Sequence, residues 1–164
     1  MKSPRTRAFT CVPLLLLITL TCSCLGVNSK DIQIIQSFRK NTNQFQQLLQ
    51  MTEEDHINSI NNTSVLIKPQ VTQQRVIAAK RLRQYRQLFS ELSLEGVQDD
   101  TLGHIYFVVN ASSMWNATTE KGLVYSLNAL TPQVGSLDNF HLSNSTPQAF
   151  RSISNHWYVF LSID

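Results

Sequence analysis

Beyond residue 24 the chain contains no cysteine: all three, Cys11, Cys22 and Cys24, fall within its first 26 residues. If that stretch is removed, neither a disulfide nor a thiolate metal ligand can form in the remainder. Glycine is scarce, at 5 of 164 residues, and neither a glycine-rich phosphate loop nor a nucleophile-elbow motif occurs. The longest apolar run, Phe9 to Leu20, is shorter than the roughly 20 residues a membrane-spanning helix requires.

What is present begins with that run. Lys2, Arg5 and Arg7 precede it, and small or polar residues follow it as far as Gly26. A basic start, a short apolar core and a small-residue end make a secretory signal peptide. Residues 1–26 are therefore expected to be cleaved, leaving residues 27–164 as one secreted domain without membrane insertion. About 138 residues suffice to bury a core without covalent staples.

Cleavage also removes the charge excess. The chain has 14 Lys and Arg against 11 Asp and Glu, and three of the cations leave with the leader. The formally neutral remainder offers no general attraction for nucleic acid or anionic membranes.

Five glycosylation acceptors follow the Asn-x-Ser/Thr pattern, at Asn61, Asn62, Asn110, Asn116 and Asn144. A bulky hydrophilic glycan must face solvent. These positions are accordingly expected in loops or at element ends.

Hydrophobic spacing divides the chain into a helical part, 30–95, and a strand-rich part, 103–164. Ile35, Phe38, Thr42, Phe45 and Leu49 recur at steps of 3 and 4 and predict one amphipathic helix over Lys30 to Glu54. Ser29 or Asp31 can cap its start. Val71, Ala78, Leu82, Tyr85, Phe89 and Leu92 predict a second helix, from Val71 to Leu92. The stretch Asn58 to Ser64 is expected as the loop of a helical hairpin. Gly103 to Asn110, Leu123 to Leu127 and His156 to Ile163 are β-branched and aromatic runs without formal charge, and predict strands. The fold expected is α+β: an N-terminal amphipathic helical hairpin packed on a small, mainly antiparallel β-sheet formed by the C-terminal half.

Chemistry-bearing residues are sparse. The four histidines, His56, His104, His141 and His156, show no metal-ligand spacing, so neither a metal nor a cofactor is expected. Asp138 and His141 lie three apart and, with a strand histidine, form the best hydrolytic constellation available. Asp99-Asp100 and Glu53-Glu54-Asp55 are expected as solvated turns. Trp157 and Tyr158 alternate in a strand, so one is expected in the core and the other facing out. Trp115, between two acceptor asparagines, is a candidate binding aromatic. Arg75, Arg83 and Arg86 are the candidate cations for a glycosaminoglycan or an acidic partner, although helical geometry spreads them around the exposed arc.

The expected function is that of a secreted, N-glycosylated, non-enzymatic protein acting outside the cell through contacts with a protein or a glycan. The alternative is a small secreted hydrolase using Asp138, His141 and a strand histidine.

Overall fold

A computed structural model describes residues 30–68, 77–114 and 117–164. Its elements, in chain order, are α1 (Asp31–Lys40), α2 (Thr42–Glu54), β1 (Ile57–Asn61), β2 (Val65–Ile67), α3 (Ala79–Leu92), β3 (Gly96–Asp99), β4 (Ile105–Met114), β5 (Ala117–Tyr125), β6 (Gln148–Ser154) and β7 (Trp157–Ile163). The fold is α+β. The strands form one antiparallel sheet in the order β2-β1-β3-β4-β5-β7-β6.

The single helix expected over Lys30 to Glu54 is two. At Asn41 the backbone leaves helical geometry (φ −119°, ψ 27°), and the Thr42 hydroxyl donates to the Phe38 carbonyl at 2.8 Å. The bend turns Phe38 and Phe45 toward the same ring: Trp157 lies 4.9 Å from Phe38 and 6.2 Å from Phe45, centroid to centroid. Phe107 and Tyr125 complete the cluster at 5.4 and 5.3 Å from Trp157. Aromatic packing at these separations accounts for the periodicity running through the break. The serine cap expected at Ser29 lies outside the described residues, and Asp31 does not cap α1. Instead Gln33 accepts the Lys30 N–H at 3.1 Å.

The two-helix hairpin with a simple glycosylated loop is corrected in the same region. Asn58 to Ser64 belongs to a β-hairpin whose strand β1 pairs with β3. The Asn61 side-chain oxygen closes its turn by accepting the Thr63 and Ser64 N–H groups at 2.9 and 2.8 Å. The N-terminal half therefore supplies two strands of the sheet. Of the second predicted helix, Ala79–Leu92 is helical, with Tyr85, Leu88, Phe89 and Leu92 buried. Val71 and Arg75 lie outside the described residues. The helix stops at Ser93, in the left-handed region (φ 55°), where the Leu94 N–H returns to the Phe89 carbonyl at 2.8 Å.

Neither acidic cluster is simply solvated. Arg81 of α3 reaches Glu54 and Asp55 at the end of α2, both at 2.7 Å, and Asp55 also accepts the hydroxyl of buried Tyr85 at 2.9 Å. Burial and the Asp55 carboxylate push that phenol up, so it stays a donor. Asp99 pairs with Lys68 across β1.

Trp157 and Tyr158 are both buried. The strand does alternate them, but each face of the sheet has a cover. One face lies under the helices. The other carries a second apolar cluster of Val108, Val124, Leu130, Phe150, Tyr158 and Phe160. Gly122 sits between the two layers where the register slips at Val108/Asn110. A Cβ there would stand 2.1 Å from the Phe107 carbonyl oxygen, so only glycine permits that approach.

Candidate functional site

Beneath α1, Asp31 is fully buried and gathers three partners. Its carboxylate accepts the Leu137 N–H at 2.8 Å and Arg151 Nη1 at 3.0 Å, while Lys121 Nζ bridges Asp31 Oδ1 and Asp138 Oδ1, both at 2.8 Å. Asp138 Oδ1 also accepts the Asp31 N–H at 2.9 Å. Burial alone would raise the Asp31 pKa; the Lys121 contact, the Leu137 N–H and Arg151 together hold it below the usual carboxylate value. This network ties α1 to β5, β6 and the loop before β6. Its charges neutralise one another and leave none free for a ligand.

The second face of the sheet is built differently. A cavity of about 710 Å³ opens there between two loops. One wall is the β3–β4 turn. Asp100 Oδ1 accepts the N–H groups of Leu102 and His104 at 2.8 and 2.9 Å, and Oδ2 stands 2.8 Å from His104 Nδ1. Gly103 occupies the left-handed region (φ 80°), which a turn this tight reserves for glycine. A second wall is the segment 128–131. The Ser126 hydroxyl donates to the Asn128 carbonyl at 2.7 Å, Leu130 inserts into the second apolar cluster, and the Phe150 N–H binds the Pro132 carbonyl at 3.0 Å.

Between the walls the strand register lays down two rows. Glu120, Ser162 and Gln148 are direct cross-strand neighbours on β5, β7 and β6. Two residues along each strand, Gly122, Phe160 and Phe150 form the adjacent row. A polar row thus runs beside an apolar one. The Tyr106 ring stands edge-on to Phe160 at 5.0 Å. Burial first, and then the Asp100 carboxylate, push the Tyr106 phenol up to about 12, which keeps it a neutral donor. Glu120 is half-buried, and burial raises its carboxyl; the Gln98 amide, 3.3 Å away, works against that rise, while the Asp164 and Glu95 carboxylates add to it.

Of the residues singled out from sequence, Asp99, Asp100 and His104 line this cavity, and the others fall elsewhere. Arg83 and Arg86 are exposed on α3, away from the cavity lining. Arg75, Trp115 and Asn116 lie outside the described residues. Asn61, Asn62 and Asn144 are exposed in turns or at an element end. Asn110 is not at an end: β4 continues past it to Met114, and it is half-buried within the strand at the register slip. Asp138 belongs to the Asp31 network, His156 stands against the Ser126 carbonyl at 3.1 Å, and His141 is exposed. No hydrogen bond or ion pair joins these three among the described residues. Nor do any three His, Asp or Glu side chains there converge to hold a metal, and no described helix is long and apolar enough to cross a membrane.

Sequence reasoning missed the cavity because its walls and floor come from five separate stretches between Gln98 and Asp164. The only local signal was Asp100-Thr101-Leu102-Gly103-His104, a turn whose aspartate and histidine lie four apart. Comparison with models of protein families, with curated proteins and with solved structures finds no match.

Proposed function

We propose that this chain is a secreted, N-glycosylated, non-enzymatic binding protein that acts outside the cell, and that its contact site is the cavity on the second sheet face. The observation that carries this reading is the cavity itself: about 710 Å³, within the range of small-ligand sites, with its polar and apolar rows side by side. The leader at residues 1–26 and the exposed acceptors Asn61, Asn62 and Asn144 support an extracellular setting. A protein or glycan partner would reach the site through a projecting group.

Expression of the full chain in a secreting eukaryotic cell tests it. The protein is expected in the medium, with a mass that falls on endoglycosidase treatment. Native mass spectrometry of the secreted material, after incubation with extracellular fluid, should show a small bound species that denaturation releases. Retention of the unglycosylated protein inside the cell would overturn the reading.

The hydrolase alternative draws support from one pair only, Asp100 and His104 on the cavity wall. An aspartate on Nδ1 orients an imidazole as it does in general-base catalysis. Asp138, His141 and His156 take no part in lining that cavity. Hydrolysis of chromogenic esters that disappears in His104→Ala would establish it.

A further inference from the structure

We infer that the ligand of this cavity is an organic amine: a protonated nitrogen carried on an apolar, ring-containing body. The inference rests on the cavity being a binding site and specifies what enters it.

Among the described residues four carboxylates, Asp99, Asp100, Glu120 and Asp164, and the imidazole of His104 line the cavity, and no lysine or arginine does. Several other carboxylates are matched: away from the cavity Asp31 and Asp138 have Lys121 and Arg151, and Glu54 and Asp55 have Arg81, while on its lining Asp99 has Lys68 and Asp100 stands against His104. Glu120, Asp164 and Glu95 have no such partner among the described residues, although each of the other two is close enough to act on Glu120. Half-burial of an uncompensated carboxylate is unfavourable, and an incoming cation would relieve it.

The register shows how such a ligand lies. From Glu120 the polar row continues through the Ser162 hydroxyl to the Gln148 amide oxygen, all able to accept N–H groups. Cross-strand neighbours stand about 5 Å apart, a spacing that an ammonium can share between two acceptors. The adjacent row ends on Phe150, with Tyr106 and Leu130 also lining the cavity, so a ring attached to the nitrogen would fall on apolar surface. A bare metal ion does not fit this arrangement, because the carboxylates are spread along the cavity and do not converge. An anionic ligand would meet Glu120 and Asp164 directly.

Isothermal titration of the secreted full-length protein with three indoles of one ring system tests the inference: tryptamine, its alcohol tryptophol and indole-3-acetate. Tryptamine is expected to bind at least tenfold more tightly than tryptophol, and indole-3-acetate more weakly than either. Glu120→Gln should remove the tenfold preference for tryptamine over tryptophol. Gln148→Lys, which places a cation in the polar row, should abolish tryptamine binding. A melting transition within a few degrees of the parent protein confirms that each variant is folded. Equal binding of tryptamine and tryptophol, or tightest binding of the acetate, would overturn the amine inference and leave the cavity as a binding site. No binding by any of the three would overturn both.

Discussion

The two faces of the sheet are made by the same strands and differ in what covers them. Under the helices, Trp157 is surrounded by Phe38, Phe45, Phe107 and Tyr125, and every charge that is buried, at Asp31 and Lys121, has an opposite charge against it. On the other face a smaller cluster takes in Leu130 from the 128–131 segment, and Glu120 stays half-buried on the cavity lining. The first arrangement maximises apolar burial and closes its polar network. The second leaves part of a polar row open and its negative charge unmatched. Under the proposed reading, stability and recognition are divided between opposite sides of one sheet.

That division can be broken from either side. Trp157→Ala removes the ring on which α1, α2, β4 and β5 converge and is expected to cost about 3–5 kcal/mol, measured by urea denaturation. Asp31→Ala leaves Lys121 and Arg151 without their buried partner and should cost a similar amount or slightly less, about 3 kcal/mol. Its pH dependence has a defined sign. Because the Asp31 pKa is lowered from 3.8 in the folded state, its contribution is fully present above that unfolded value. It is lost as pH falls through the lower folded value. The parent protein should therefore lose stability on acidification below about pH 4 more steeply than an Asp31→Asn variant.

On the second face the effects are smaller. Leu130→Ala should cost about 2–3 kcal/mol and loosen the 128–131 wall, seen as faster amide exchange at Phe150, whose N–H binds the Pro132 carbonyl. Leu102→Ser, at a position 74% exposed on the rim, should change stability by less than about 0.5 kcal/mol. Any loss of ligand affinity in that variant would then belong to the cavity alone. If Leu130→Ala proved as damaging as Trp157→Ala, the contrast between the faces would fail.

Legibility followed composition. The core of β4, the end of β5 and nearly all of β7 were readable because Ile105 to Val109, Leu123 to Tyr125 and Trp157 to Ile163 are uncharged runs rich in β-branched and aromatic side chains. β1, β3 and β6 were not, since Ile-Asn-Ser-Ile-Asn, Gly-Val-Gln-Asp and Gln-Ala-Phe-Arg-Ser-Ile-Ser carry polar residues at half their positions or more. Pairing with neighbours makes them strands, and pairing is not a local property. The helical stripe was correct in spacing and wrong in continuity: a bend at Asn41 preserves the 3-and-4 steps, so periodicity cannot detect it. Asp31 looked like a helix cap because its partners, Leu137, Lys121 and Arg151, are about 90 to 120 residues away in sequence.

The sequence by itself determined the α+β class, the alternation that puts Phe107, Leu123 and Val159 on one face, and the absence of any thiol beyond Cys24. These follow from covalent composition and from side-chain periods that each segment carries alone. Only the tertiary structure decided that β1 and β2 join the sheet, that Asp31 is buried among cations, and that Glu120, Ser162 and Gln148 stand side by side at the edge of a cavity. Each of these depends on contacts between segments far apart in the chain, and the strand register among them is set by the packing of the whole sheet at once.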